Sequence, residues 1–303
     1  MLRSLLLLLA KSSRLCRFVT RNSFARRCAR RFIAGESMSE AIDAVRDLNK
    51  EGISATVDFL GEHVTSADGA RRVMYTYLTL LDRIAKERFD AHVSLKLSQL
   101  GLDVDPRSCV QFLNILVQHA ARYDRFVRVD MEGSVYTQHT LDIVQRAHPH
   151  CPAVGTVIQA YLYRSSEDVA ELLRRGCRIR LCKGAYKESA EVAYQQKNDV
   201  DTNFAHLMQR LLQSGGYHAI ATHDEKMIKQ TIAFATTAGI PANRFEFQML
   251  YGIRRDLQRN LVRRGYRVRV YVPFGNEWFP YFMRRLAERP ANLWFLLRNA
   301  LRL

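Results

Sequence analysis

From residue 53 onward the chain alternates two hydrophobic patterns. Short β-type runs, rich in β-branched and aromatic residues, occupy 53–61, 92–101, 125–133, 153–162, 177–186, 217–224, 245–252 and 267–275. Between them apolar residues recur at helical spacing, as in ADGARRVMYTYLTLLDRIAKERF and DEKMIKQTIAFATTAG. Ahead of the first run, Ser37 and Glu40 form an S-x-x-E capping box, opening a helix that closes at Gly52. Eight strand–helix units predict an α/β protein, a (β/α)8 TIM-like barrel with an N-terminal helical/basic extension. A doubly wound open sheet shares the alternation, but it is built from five or six such units rather than eight. The connection over 187–214 is longer than the rest and reads as an extra helix or an excursion after strand 5. No repeat or Pro/Gly-rich linker divides the chain. The pattern therefore predicts one domain, 35–303, behind an N-terminal arm, 1–34.

Barrel enzymes build their sites at the C-terminal ends of the strands. Those ends carry, in order, Asp58 and Glu62, Lys96 and Ser98, Asp130 and Glu132, and Gln159 and Tyr161. The later strands add Arg180 and Lys183, Thr222, His223 and Asp224, Gln248, and Tyr271. Charged groups are seldom buried without partners, so a ring of them at one mouth points to a site. Single members such as Ser98 or Glu132 also suit loop caps. Arg178 shares a face with Arg180 by strand alternation, and its partner is not readable. Past the last strand, Tyr281, Arg284, Arg285 and Glu288 fall at i, i+3, i+4 and i+7 on one helical stripe. Two planar guanidiniums there suit a substrate carboxylate. The doublet is one of seven Arg-Arg pairs in the chain, so its position carries the argument.

Composition changes the picture mainly at the N-terminus. The apolar content of 48% with 25% charged residues is that of a globular protein. The formal net charge is +16, and nine Lys or Arg fall in the first 31 residues before any acid. Such an arm is disordered, or drawn to an anionic surface such as a membrane or nucleic acid. It also suits a transit segment or an inert tail. Its apolar run, Leu5 to Ala10, is too short to span a membrane. The six cysteines show no C-x-x-C pair and no metal-ligand spacing, which fits a reducing compartment and indicates no metal site.

The runs SLKLSQLGLD, RVDMEGS, VIQAYL, RLCKGAY, ATHD, FEFQMLYG and YVPFG…YFMRRLAE follow one another in order, one motif per strand. Together they resemble the proline dehydrogenase family, both its compact bacterial members and the matching domain of the bifunctional proline utilisation proteins. The resemblance covers about 35–300. It implies a barrel that holds FAD at its mouth, oxidises L-proline to Δ1-pyrroline-5-carboxylate and passes electrons to a quinone. By the same resemblance, Lys96, Arg284 and Arg285 bind the substrate carboxylate, and Tyr271, Tyr281 and Leu250 enclose its ring. Glu62 pairs with the first arginine, Asp130 supports the network, and Glu288 lies one turn beyond the pair. Gln159 and Arg180 face the flavin ring, with Lys183, Gly184 and Ala185 along its ribityl-phosphate portion. Thr222, His223 and Gln248 complete the cofactor side. The implied location is cytoplasmic, peripheral to the inner membrane, with a mitochondrial location as the alternative.

The chemistry agrees with these residue types. Taking a hydride from the carbon beside an amine demands positioning, which a clamped carboxylate supplies. No G-x-G-x-x-G is present, which argues against a Rossmann domain. His223 could be a base or a structural histidine bonded to its neighbours. Two rival functions stand beside this one. A strand-end lysine, Lys96 or Lys183, could serve a Schiff-base aldolase if its pKa were lowered. The basic charge could also belong to a non-enzymatic binding module. Against that, the mouth mixes acids, amides and arginines rather than forming a phosphate-tracking stripe, so nucleic acid is an unlikely partner of the barrel.

Overall fold

The computed structural model describes residues 12–61 and 64–288. Eight parallel strands close into a barrel in chain order, the first pairing with the last. They are β1 (Ser54–Phe59), β2 (Ala91–Leu95), β3 (Val127–Val129), β4 (Val154–Gln159), β5 (Arg178–Cys182), β6 (His218–Ala221), β7 (Phe245–Leu250) and β8 (Arg267–Phe274). All eight predicted runs are strands, and most overshoot at the C-terminal end. After Leu95 the run SLKLSQLG leaves the sheet: Lys96 O accepts from the backbone of Gln99 and Leu100, curling the chain into turns. The apolar alternation that reads as strand there serves a buried loop instead.

In chain order the helices are α1 (Ser13–Arg21), α2 (Ser23–Ala29), α3 (Met38–Lys50), α4 (Ala67–Lys86), α5 (Pro106–Arg122) and α6 (Thr137–Ala147). Then come α7 (Ser165–Arg174), α8 (Lys197–Gln213), α9 (Glu225–Thr237), α10 (Arg255–Arg263) and α11 (Trp278–Glu288). The capping box forms as predicted: Ser37 accepts from the Glu40 backbone N–H, and the Glu40 carboxylate takes the Ser37 N–H. Helix α8 is the ordinary crossover from β5 to β6. The excess length of that connection is the loop before it, bridged to the barrel at Leu162 and Ala193.

The main apolar core lies between the barrel and its helices, where Val57, Val93, Val129, Ile158, Leu181, Phe247 and Val270 meet residues such as Tyr77, Leu113 and Leu207. The barrel interior is different, because the alternate strand positions are polar. At its N-terminal end the buried pair Arg269–Glu246 closes at 3.0 Å, and Arg269 also donates to Ala55 O at 2.8 Å. Arg128 donates to the carbonyls of Thr156 and Arg178. The partner of Arg178 proves to be aromatic: its guanidinium lies 5.3 Å from the Phe126 ring and 5.9 Å from that of Tyr217.

The described part of the arm is helical, as expected of the N-terminal extension, and it packs on the rest of the chain. Helices α1 and α2 present Leu15, Cys16, Val19 and Ala29, with Phe32 and Ile33 after them, to the apolar face of α11. The chain then runs to β8, where Ala34 N donates to Pro273 O at 2.8 Å. Gly252, at φ +72°, makes room for this docking, since a Cβ there would fall 1.6 Å from Arg31 O. A pattern of basic residues without acids does not reveal that every few residues an apolar one faces the same way. The position of the domain boundary at residue 34 stays an expectation.

His218 ties the barrel's lower end to pH. Its Nδ1 accepts the Ile179 N–H at 3.1 Å and its Nε2 meets Ser214 Oγ at 2.9 Å, an arrangement for the neutral ring. Burial, aided by Arg128 and Arg178, pushes its pKa down from 6.5 to about 4. Unfolding exposes a ring that protonates near its ordinary value. The associated stability is therefore intact above about pH 6.5 and is lost as pH falls to about 4, a swing of roughly 3 kcal/mol. Denaturant midpoints followed across that window should fall less steeply for His218→Gln than for the parent. Parallel curves would remove His218 from the pH dependence.

Candidate active site

A cavity of about 720 Å3 opens at the C-terminal mouth of the barrel. That is within the range of cofactor and substrate pockets. Its floor is a set of charges inside the barrel. Arg180 donates to Asp130 Oδ1 at 2.6 Å, to Ser94 Oγ at 3.0 Å and to Gln248 Oε1. Asp130 also accepts from Tyr271 OH at 2.7 Å and from Ser94 Oγ at 3.0 Å. The Tyr271 ring lies 5.4 Å beneath the Arg180 guanidinium. Burial and the Asp130 charge hold the Tyr271 phenol well above its ordinary pKa, so it stays a donor. Ser94 comes from β2, Arg180 from β5, Gln248 from β7 and Tyr271 from β8, Asp130 is the first residue past β3, and closure of the barrel brings them together.

Lys96, the first residue past β2, donates to both Asp58 carboxylate oxygens at 3.0 and 3.1 Å. Asp58 is fully buried and also accepts from Tyr77 OH at 3.3 Å. Burial works against the Lys96 charge, but Asp58 and then Asp130 outweigh it and raise its pKa. The ammonium is thus held charged beside the cavity.

The third wall is α11. Trp278, Phe279, Phe282, Met283 and Leu286 turn into the second apolar cluster with the arm, Phe282 meeting Phe32 at 6.0 Å between ring centroids. That packing fixes the rotation of the helix. Tyr281, Arg284 and Arg285 consequently line the cavity, with the Arg285 guanidinium 5.1 Å from the Tyr281 ring. Leu250 lies on the same wall. Glu62 falls outside the described residues, as does the side chain of Glu288.

The opposite side carries the expected cofactor residues. Lys183 donates to Asp201 and, at 2.8 Å, to Asp224. Although burial opposes it, Lys183 lowers the pKa of both acids. Gly184, at φ +110°, turns the chain against the Tyr161 ring, where any Cβ would lie within 2.3 Å of an aromatic carbon. Ala185, Thr222 and Gln248 line the same cavity. His223 accepts the Leu250 N–H at its Nε2, 2.9 Å away, which is a structural bond joining β6 to β7. Gln159 donates to the carbonyls of Met131 and Glu132, while its buried Oε1 has no partner among the described residues. A lone buried acceptor on a cavity wall calls for a donor from whatever binds there.

Fifteen of the seventeen expected site residues thus lie on one cavity. Ser98 and Glu132 bond one another at the rim, Ser98 Oγ donating at 2.6 Å, the loop-cap role open to them from the start. Two residues outside the expected set belong to the site. Asp58, visible only as one of the strand-end acids, anchors Lys96. Tyr186 lines the cavity from the loop after β5, its phenol raised by burial against the pull of Arg284 and Lys96. The adjacency of Tyr186 to K-G-A was the available signal.

Fold and site together define a (β/α)8-barrel enzyme whose mouth cavity gathers cationic, amide and aromatic side chains. Residues 41–298 match the proline dehydrogenase family model. The chain is 42% identical over 302 residues to "Proline dehydrogenase 1" of Bacillus subtilis (strain 168), covering 100% of both chains. It is 41% identical over 281 residues to "Proline dehydrogenase" of Deinococcus radiodurans, covering 90% of each. Its fold is similar to the crystal structure of proline utilization A (PutA) from Bdellovibrio bacteriovorus inactivated by N-propargylglycine. The TM-score there is 0.82 at 29% identity, over 87% of this chain and 33% of that longer one. The chain belongs to the proline dehydrogenase family and is an oxidoreductase of proline catabolism.

The buried charges give a stability test of the site. Asp130→Ala would leave Arg180 buried without its carboxylate, at a cost of about 3–5 kcal/mol. Chemical unfolding of the variant should show that loss; a change below about 1 kcal/mol would mean that Arg180 finds another partner.

Proposed function

We propose that the protein oxidises L-proline to Δ1-pyrroline-5-carboxylate, using FAD held at the barrel mouth and a membrane quinone as final acceptor. The observation that carries this reading is the recess itself. One cavity lining holds Lys96, Arg284 and Arg285 together with the unpartnered Gln159 Oε1 and the glycine-shaped turn at Gly184. The residues present fit a flavin. Gln159 offers an acceptor for a ring N–H, Gly184 lets backbone approach closely, and Lys183 and Arg180 supply cationic groups for phosphate and ring. When bound, the flavin supplies the two-electron acceptor that takes hydride from the carbon next to the amine.

The chain's own residues perform the rest. Lys96, kept protonated by Asp58, forms one point of the carboxylate clamp, and the two guanidiniums of α11 form the others. Tyr271, Tyr281 and Leu250 enclose the apolar ring and exclude water. Arg180, fixed by Asp130, Ser94 and Gln248, presents positive charge that is already oriented before any charge develops beside it. Glu62 pairs with Arg284 in this reading and closes the site. Neither rival function gains support. Lys96 is held as a charged ammonium by Asp58, the opposite of what a Schiff-base nucleophile needs, and Lys183 is engaged by Asp201 and Asp224.

A lipid-soluble acceptor asks for work at a membrane surface, and no helix among the described residues is long and apolar enough to cross one. We therefore propose a cytoplasmic enzyme bound peripherally to the inner membrane, with its basic arm toward the anionic surface.

Anaerobic titration with L-proline should bleach the flavin absorbance, and a quinone analogue should restore it. If hydroxyproline bleaches the flavin and L-proline does not, the substrate assignment fails while the fold and cofactor stand. Arg284→Ala and Arg285→Ala should each remove about 1.5–3 kcal/mol of charge-assisted binding, raising KM for proline roughly ten- to a hundredfold with flavin content preserved. An unchanged KM in both would overturn the carboxylate clamp.

A further inference from the structure

A second cavity, of about 320 Å3, lies away from the barrel mouth, between the arm and the start of α11. Three guanidiniums line it: Arg26, Arg27 and Arg30. Arg30 is joined to Glu40 at 2.7 Å, and the other oxygen of Glu40 is taken up by the capping box. Glu36 also reaches the cavity, but its carboxylate accepts the Trp278 indole N–H at 2.9 Å. Arg26 and Arg27 have no carboxylate partner among the described residues. The rest of the lining is apolar, from Ile33 and the buried Trp278.

The arm around the cavity adds to its charge. Its side chains Leu15, Cys16, Val19 and Ala29 already pack in the cluster with α11, whereas Arg17, Arg26, Arg27 and Arg30 are exposed. A phosphate group, with two or three charge-bearing acceptor oxygens, is the complement of two or three forked guanidiniums, and the apolar lining suits an ester group behind it. We infer that the cavity formed by Arg26, Arg27 and Arg30 against Trp278 is a binding site for a phosphate-bearing anion. The phosphate is that of a free small anion or of an anionic phospholipid headgroup, and the same guanidiniums would hold either. An occupant there would tie α2 to the first turn of α11, the helix whose later turns carry Arg284 and Arg285. The site goes beyond the catalytic reading, and its test keeps the two apart by also following proline turnover.

The test uses the full chain with its cofactor. The double variant Arg26→Gln/Arg27→Gln is compared with Arg71→Gln/Arg72→Gln, which removes the same charge from the exposed start of α4. Thermal denaturation against inorganic phosphate and glycerol 3-phosphate reports the soluble source. Co-sedimentation with vesicles of equal phosphatidylglycerol and phosphatidylcholine, against phosphatidylcholine alone, reports the lipid source. The expected result is saturable binding to at least one of these probes that weakens roughly thirtyfold in the Arg26/Arg27 variant and much less in the control. Flavin content and kcat with proline should be unchanged in both variants. Saturation by the soluble anions identifies a small-molecule site, and saturation by anionic vesicles alone identifies a headgroup site. Absence of binding to every probe would overturn the inference, as would equal weakening in the two variants, which marks mere charge attraction.

Discussion

The Arg180–Asp130 ion pair is the contact on which the rest of this structure depends. A closed parallel barrel ordinarily fills its interior with branched apolar side chains. This one fills it with guanidiniums, carboxylates and amides, and charges removed from water are tolerable only when paired and hydrogen-bonded. Arg180 meets that condition by reaching Asp130, Ser94 and Gln248 from three other strands. Glu246 continues the chain of bonds from Gln248 to Arg269 at the opposite end of the barrel. The network therefore serves architecture and chemistry together. It staples strands to one another, and it leaves one edge of each charged group at the cavity floor, already oriented.

A second constraint works from outside the barrel. Helix α11 contributes almost nothing to the main core and packs instead in a separate apolar cluster with the arm, Leu60 and Ile253. Its rotation, and hence the direction of Arg284 and Arg285, is decided by Trp278, Phe279, Phe282 and Phe32 rather than by the strands. The proposed carboxylate clamp is thus assembled from two independently supported halves. Lys96 is fixed by Asp58 within the barrel, and the arginines are fixed by aromatic packing above it. The cavity wall of Gly184 and the Lys183 ion pairs rests on a different set of contacts again.

Much of this was legible along the chain. Strand-length apolar runs separated by helical periodicity named all eight strands, because each pattern is local and a barrel repeats it. The strand-end rule found the floor of the cavity, since a position at the C-terminal end of a barrel strand has few places to point other than the mouth. The ends of the strands were read less well. The apolar positions after Leu95 continue an alternation that the backbone abandons, and only the hydrogen bonds back to Lys96 O reveal the turn. The arm's packing was not legible for a related reason: its charge dominates its composition, whereas its packing is decided by a few apolar residues whose common face appears only once the helices form.

The sequence by itself determined the kind of barrel, the order of its strands and the residue types gathered at its mouth. These follow from periodicities of two and 3.6 residues, which act over a few neighbours. Partnership was decided by the tertiary structure alone. Asp58 holds Lys96 across 38 positions and Asp130 holds Tyr271 across 141, while Arg178 settles on aromatic faces instead of an acid. Pairing between charges depends on distance in space after the barrel has closed, and no local pattern encodes which of 46 basic residues will meet which of 30 acids.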